Sequence, residues 1–168
     1  MSWSLVRAIL ILPGTVVVLV PGLLVLAARG TRAAAAGPRM ESPLFWISLP
    51  VLALGLLLAV TTVRLFVRYG EGTPAPWDPP LKMVVRGPYR HVRNPMIVGV
   101  LFLLLGESLL LRSLPLAGWM VLFFLANALY FPLCEEPGLE RRFGEDYRRY
   151  RANVPRWIPR LRPWKEPG

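Results

Sequence analysis

A single cysteine, Cys134, and a single histidine, His91, occur in this chain of 168 residues. A disulfide framework needs cysteine pairs and a structural zinc site needs several Cys or His ligands, so neither can be built and no metal is expected. Acidic residues are also scarce: ten Asp and Glu stand against twenty Lys and Arg, a formal charge of +10. In a soluble chain that excess would suggest nucleic acid. No aromatic-interleaved basic groove or known nucleic-acid motif accompanies it, so no nucleic-acid partner is expected. No internal repeat of roughly 20 to 50 residues is visible, which sets solenoids aside.

Apolar residues are what the chain has in quantity. They make up 54% of it, more than the about 45–50% of an ordinary soluble domain, and the mean hydropathy is positive. Four apolar stretches carry this excess, at 5 to 28, 44 to 63, 96 to 111 and 114 to 134. A bilayer core about 30 Å thick needs roughly 20 helical residues. Three stretches meet that length, and the third must pair closely with the fourth across Arg112-Ser113. The first reads as a retained helix, because its apolar run exceeds the roughly 7 to 15 residues of a secretory signal core and only Arg7 precedes it as a basic residue. The expectation is an all-α integral membrane protein with about four transmembrane helices and a C-terminal amphipathic interfacial helix.

The positive charge sorts by segment. One Lys or Arg precedes or opens the first helix, three lie between the first and second, six run from Arg64 to Arg93, one is in the third connection and nine follow Cys134. With alternating sides, sixteen fall on one face of the membrane and four on the other. The positive-inside rule then puts both termini and the 64 to 93 segment in the cytoplasm, facing anionic headgroups.

Residues 1–68 read as a two-helix membrane scaffold and residues 69–168 as the region that carries chemistry. The Pro- and Gly-rich run from 70 to 80 is expected as a loop on the membrane surface, and 81 to 85 as a short strand or extended arm. Leu139, Phe143, Tyr147 and Tyr150 recur at three- and four-residue spacing among arginines, the pattern of an amphipathic helix on a membrane surface. Trp157 and Trp164 extend an interfacial aromatic belt, or belong to a solvated basic tail.

Several blocks stand out around the last two apolar stretches. Gly87-Pro88-Tyr89-Arg90-His91-Val92-Arg93-Asn94-Pro95-Met96 opens one, and Glu135-Glu136 closes the next. Phe143-Gly144-Glu145-Asp146-Tyr147 and Val154-Pro155-Arg156-Trp157-Ile158-Pro159 follow. Asn94 before Pro95 suits a helix start, since Asn can accept from free backbone amides and Pro fits the first turn. The positive end of that helix, with Arg90 and Arg93, attracts an anion. Glu135 and Glu136, adjacent on a helix, sit about 100° apart, so one at most points squarely into a pocket. Either accepts from sugar hydroxyls or pairs with an ammonium, or both pair with cytoplasmic arginines.

His91 and Glu107 are the two candidates for a catalytic role. His91 is a potential general base or an orienting residue. Glu107 lies inside an apolar stretch, where an ionisable group is costly. It is either a hydrogen-bonding partner of Asn127 or Ser108, or the wall of a polar headgroup pocket.

The order of these blocks resembles the family that holds the isoprenylcysteine carboxyl methyltransferases and the phospholipid N-methyltransferases, over roughly residues 70 to 160. The resemblance implies S-adenosylmethionine as cofactor and a membrane lipid or lipidated molecule as methyl acceptor. It also implies a cofactor site drawn from Tyr89, Arg90, Arg93, Asn94, Pro95, Gly99, Glu135 and Glu136, although a lone Gly99 in a membrane helix is equally a helix-packing notch. Ile97 stands where the family usually has Tyr, so Tyr89 or Tyr130 compensates or cofactor affinity is reduced. The Arg93-Asn94-Pro95 form is more similar to the phospholipid branch, which favours an amine acceptor. The carboxyl branch carries an arginine just before the double glutamate, where this chain reads Tyr130-Phe131-Pro132-Leu133. A prenylcysteine carboxylate is the alternative acceptor, and a non-catalytic scaffold that kept the fold is the alternative of another class. A transporter built around Glu107 has little behind it, because no partner charge or broken-helix pair accompanies that acid.

Overall fold

The computed structural model describes residues 11, 13–31, 35–70 and 81–165. The loop expected at 70 to 80, apart from Gly70, and the first residues of the 5 to 28 stretch lie outside them. All regular structure among the described residues is helical. The run from 81 to 85 forms no strand and is an extended arm, tethered by the Leu81 amide donating to the Gly70 carbonyl at 2.8 Å.

The longer helices among the described residues are α1 (Gly14–Ala27), α2 (Pro43–Leu65), α3 (Pro95–Leu111), α4 (Leu114–Tyr130) and α5 (Glu136–Asn153), with a single short turn at Gly87–Arg90. Ser42 caps α2, its Oγ accepting from the Leu44 amide at 3.3 Å, with Pro43 in the first turn where its missing N–H costs nothing. A widened turn, Phe66–Gly70, extends α2, and another, Phe131–Glu135, joins α4 to α5 without a break. Pro137 has no amide to donate back to the preceding turn, and the widening before it accommodates that loss.

Two helical runs, Pro43–Gly70 and Leu114–Asn153, are long and apolar enough to cross a membrane, the second kinked at Gly144 (φ 55°, ψ −126°), while α1 and α3 are shorter apolar helices. Trp46, Ile47, Leu54, Leu56 and Leu57 on α2 and Val121, Leu122, Leu125 and Leu129 on α4 are exposed. An apolar surface that broad is untenable in water and is covered by lipid.

The tightest packing joins α2 to α3 through small residues. Ser48, Gly55 and Thr62, seven residues apart, are the buried positions of α2, and Gly99 and Gly106 repeat the same interval on α3. A Cβ on Gly55 would meet the Gly99 carbonyl oxygen at 2.9 Å, and one on Gly99 would meet that of Gly55 at 3.1 Å. Backbones this close need glycine on both sides. The hydroxyls of Ser48 and Thr62 bond back to Phe45 and Leu58 carbonyls, so they enter the seam without an unmet donor.

Between α3 and α4 the turn is as short as the sequence suggests. Arg112 takes a left-handed conformation (φ 51°, ψ 47°), and the Ser113 amide returns to the Ser108 carbonyl at 3.0 Å. Trp119 Nε1 donates to the Val16 carbonyl at 3.0 Å and fastens α4 to α1.

The apolar face of α5 meets protein, where headgroups had been expected. Tyr147 and Tyr150 form a buried cluster with Val154 and Trp164, against Met83, Val85, Leu139 and Phe143. The tail folds back over this face, and burying three large aromatics and a valine against one another favours that arrangement. Trp164, expected in an aromatic belt, is one of the buried members.

Candidate functional site

Residues 87 to 94 and 155 to 164 run past each other in opposite directions and are laced by backbone bonds. The Arg93 amide donates to the Pro155 carbonyl (2.9 Å), Arg160 to His91 (3.0 Å) and Trp164 to Arg90 (2.9 Å). Side chains add to the lacing: Arg90 Nε donates to the Trp164 carbonyl at 2.6 Å, and the Tyr150 hydroxyl to the Tyr89 carbonyl at 2.7 Å. The tail is therefore a strap across the loop that opens α3.

Under the strap sits an ion knot. Arg93 Nη1 donates to Glu136 Oε1 at 2.9 Å, while Arg156 reaches the same carboxylate through Nε at 2.7 Å and Nη2 at 2.9 Å. The Glu136 side chain is 6% exposed, Arg93 11% and Arg156 28%. One carboxylate between two guanidiniums leaves a net positive charge at the amino end of α3. Hydrogen bonding to Glu136 is the first cause raising the Arg156 pKa. Burial, and after it Glu136, pushes the Tyr147 phenol up to about 12.

Three further groups at this end bear on ligand chemistry. Arg93 Nε and Asn94 Nδ2 are buried with no hydrogen-bond partner. Asn94 makes no side-chain cap, contrary to the expectation, and only its carbonyl enters the helix, accepting from the Val98 amide at 3.1 Å. Glu135 has no ion pair among the described residues, and burial followed by the neighbouring Glu136 raises its pKa. The two glutamates thus divide: Glu136 is committed to arginines and Glu135 is free to meet a cation or a hydroxyl.

The other sequence candidates fall in different places. Pro95 is fully buried in the first turn of α3. Tyr89 is buried with its ring edge-on to Phe66 at 5.6 Å, and burial raises its pKa well above the usual value. Tyr130 is exposed beside Phe131, its ring edge-on at 6.0 Å. Gly99 faces Gly55, and the close approach it permits is to α2. His91 Nδ1 lies 2.8 Å from the Arg160 carbonyl, so the contact is a hydrogen bond in which Nδ1 donates.

Glu107 is twelve residues along α3 from Pro95, about 18 Å away, and is not brought to the knot. Asn127 bonds to the Phe123 carbonyl and Ser108 to that of Leu105, so neither is the expected partner, and Glu107 Oε2 is buried without one. Arg156 is the member of the knot that sequence reasoning did not assign. The signal was a buried acid needing a cation, but nine basic residues follow Cys134 and spacing alone does not choose among them.

The family model for phospholipid methyltransferases matches residues 44–146. The chain belongs to the phospholipid methyltransferase family. Its membership makes it a membrane methyltransferase in kind, and the match spans α2, α3, α4 and α5 as far as Asp146. The family's match starts earlier than the resemblance in the motifs and stops short of the strap that supplies Arg156. No curated protein and no solved structure matches the chain significantly.

Proposed function

We propose that this protein transfers the methyl group of S-adenosylmethionine to the amine of a membrane-embedded lipid, with an aminophospholipid as the favoured acceptor. The observation that carries the reading is a pair of buried, unpartnered donors, Arg93 Nε and Asn94 Nδ2, at the positive end of α3, close to Glu135, a carboxylate with no ion pair among the described residues. The cofactor bears the complementary groups. Its carboxylate suits Arg93, Asn94 and the helix terminus, and its ammonium or ribose hydroxyls suit Glu135.

When bound, the cofactor supplies an activated methyl on a sulfonium. The protein's part is to hold donor and acceptor in line and keep water out, for which the strap and the buried knot provide rigid walls. An amine must arrive without its extra proton, and His91 Nε2 is the group in this loop that can hold one. The Asn94 form of the motif and the missing arginine before Glu135 both favour an amine, because a carboxylate acceptor buried without a cation has a desolvation cost of several kcal/mol.

In this reading four helices span the membrane, with residues 1–68 as scaffold and residues 69–168 as the methyltransferase region. Both termini and the knot face the cytoplasm, supported by the sixteen-to-four division of Lys and Arg. Cysteines placed at Thr73 and Gly168, in a Cys134→Ser background, should resist an impermeant thiol reagent added outside intact cells. The reaction itself is tested with purified protein, radiolabelled S-adenosylmethionine, and parallel pools of aminophospholipid and farnesylcysteine analogue. Label on the aminophospholipid is the expected result. Base-labile methyl ester on the cysteine analogue alone would replace the amine reading, and absence of cofactor binding by calorimetry would leave a scaffold.

A further inference from the structure

The strap carries two large apolar side chains that touch almost nothing: Ile158 is 81% exposed and Leu161 97%. They belong to a segment whose neighbouring residues are firmly held. Trp157 is inserted between Phe124 and Phe131, with ring centroids at 5.4 and 5.8 Å, and Arg160 is bonded to His91. Exposure here is thus a property of an anchored turn.

Its level relative to the bilayer follows from Trp157. Phe124 lies six residues inside the end of α4 at Tyr130, about 9 Å along the helix. Trp157 therefore reaches below the end of a membrane helix, beside the apolar groove of about 300 Å³ that Val98, Phe102 and Met120 line with it. Ile158 is the next residue, with its Cα about 3.8 Å away, and so stands at the hydrocarbon boundary. Residues 156 to 165 include three arginines and one lysine and no acid, and Arg162 and Lys165 are exposed.

We propose that Ile158 and Leu161 insert into the leaflet on the α5 side while Arg162 and Lys165 bind anionic phospholipid headgroups, so that the lipid surface itself holds the strap over the knot. Apolar anchors beside basic residues match the two phases of an anionic interface. The partner is the bilayer, and the inference stands whether or not the methyl-transfer reading does.

The test uses the full chain in lipid discs of mixed phosphatidylcholine and phosphatidylglycerol. In a Cys134→Ser background, Leu161→Cys carries an environment-sensitive fluorophore, and Asp146→Cys on the exposed side of α5 carries the same label for comparison. Both positions are exposed, so neither label disturbs packing. The label at position 161 should emit at shorter wavelength and be strongly quenched by lipids bearing a doxyl group high on the acyl chain, while that at 146 should not. Quenching at 161 no greater than at 146, as in a turn that faces water or a protein partner, would overturn the proposal. Equal quenching at 161 in discs of phosphatidylcholine alone would overturn the anionic assignment.

Discussion

Replacing Glu136 by Ala separates a structural from a ligand-binding role for the double glutamate. The carboxylate is nearly inaccessible and accepts three hydrogen bonds from two guanidiniums, at 2.9, 2.7 and 2.9 Å. Its removal leaves Arg93 and Arg156 facing each other with no anion between them. Breaking a buried pair by deleting one partner costs about 3–5 kcal/mol. Arg156, at 28% exposure, can turn toward water, whereas Arg93 at 11% cannot, which puts the expected loss near the lower end, about 3 kcal/mol. Arg156→Ala should cost less, about 1.5–2 kcal/mol, because Glu136 keeps Arg93. The assay is denaturant unfolding of the detergent-solubilised protein, with unchanged slope as the sign that only stability moved. A Glu136→Ala protein within about 1 kcal/mol of the parent, the level of a surface ion pair, would refute the buried knot.

Glu135→Gln should behave in the opposite way. It relieves the repulsion from Glu136 and the cost of burying a second charge, so the unfolding midpoint at neutral pH should rise. Calorimetric affinity for S-adenosylmethionine should fall by about 1–3 kcal/mol, the worth of a charge-assisted bond; unchanged affinity would remove Glu135 from the site. Gly55→Ala forces a Cβ to 2.9 Å from the Gly99 oxygen and the Leu103 amide, and should destabilise by about 1–3 kcal/mol. Neutral behaviour in the same unfolding assay would mean the seam can open. The Tyr147 phenol, raised by burial to about 12 from 10, contributes stability that is complete below pH 10 and is lost as pH rises through about 12. Tyrosinate absorbance followed alongside unfolding should show the loss in that window, and Tyr147→Phe should diminish it.

The helices were readable because lipid imposes long apolar runs that composition alone reveals. The convergence of Arg93 with Glu136, forty-three positions apart, came from motif order. Three parts were read incompletely. Gly99 packs in the α2–α3 seam, one of its two readings, but its partner was not named; the clue was the seven-residue spacing of Ser48, Gly55 and Thr62, visible in the sequence but shared by many fortuitous triplets. The amphipathic period of α5 gave its apolar face correctly but not what covers it, since an aromatic stripe suits a lipid surface and a folded tail equally. Asn94 preceding Pro95 has the composition of a cap, yet its side chain is buried without making the cap bond.

The ion knot also imposes an order of assembly. Glu136 leaves the ribosome twenty residues ahead of Arg156, and Arg93 well ahead of both. A nascent chain therefore has its membrane helices made while the buried carboxylate still lacks its second cation and the loop still lacks its strap. Chains fold broadly in the order they are synthesised, so a knot that waits for a downstream arginine is closed last. A chain interrupted before residue 156 would insert its helices yet leave the knot one guanidinium short and the loop before α3 without its strap.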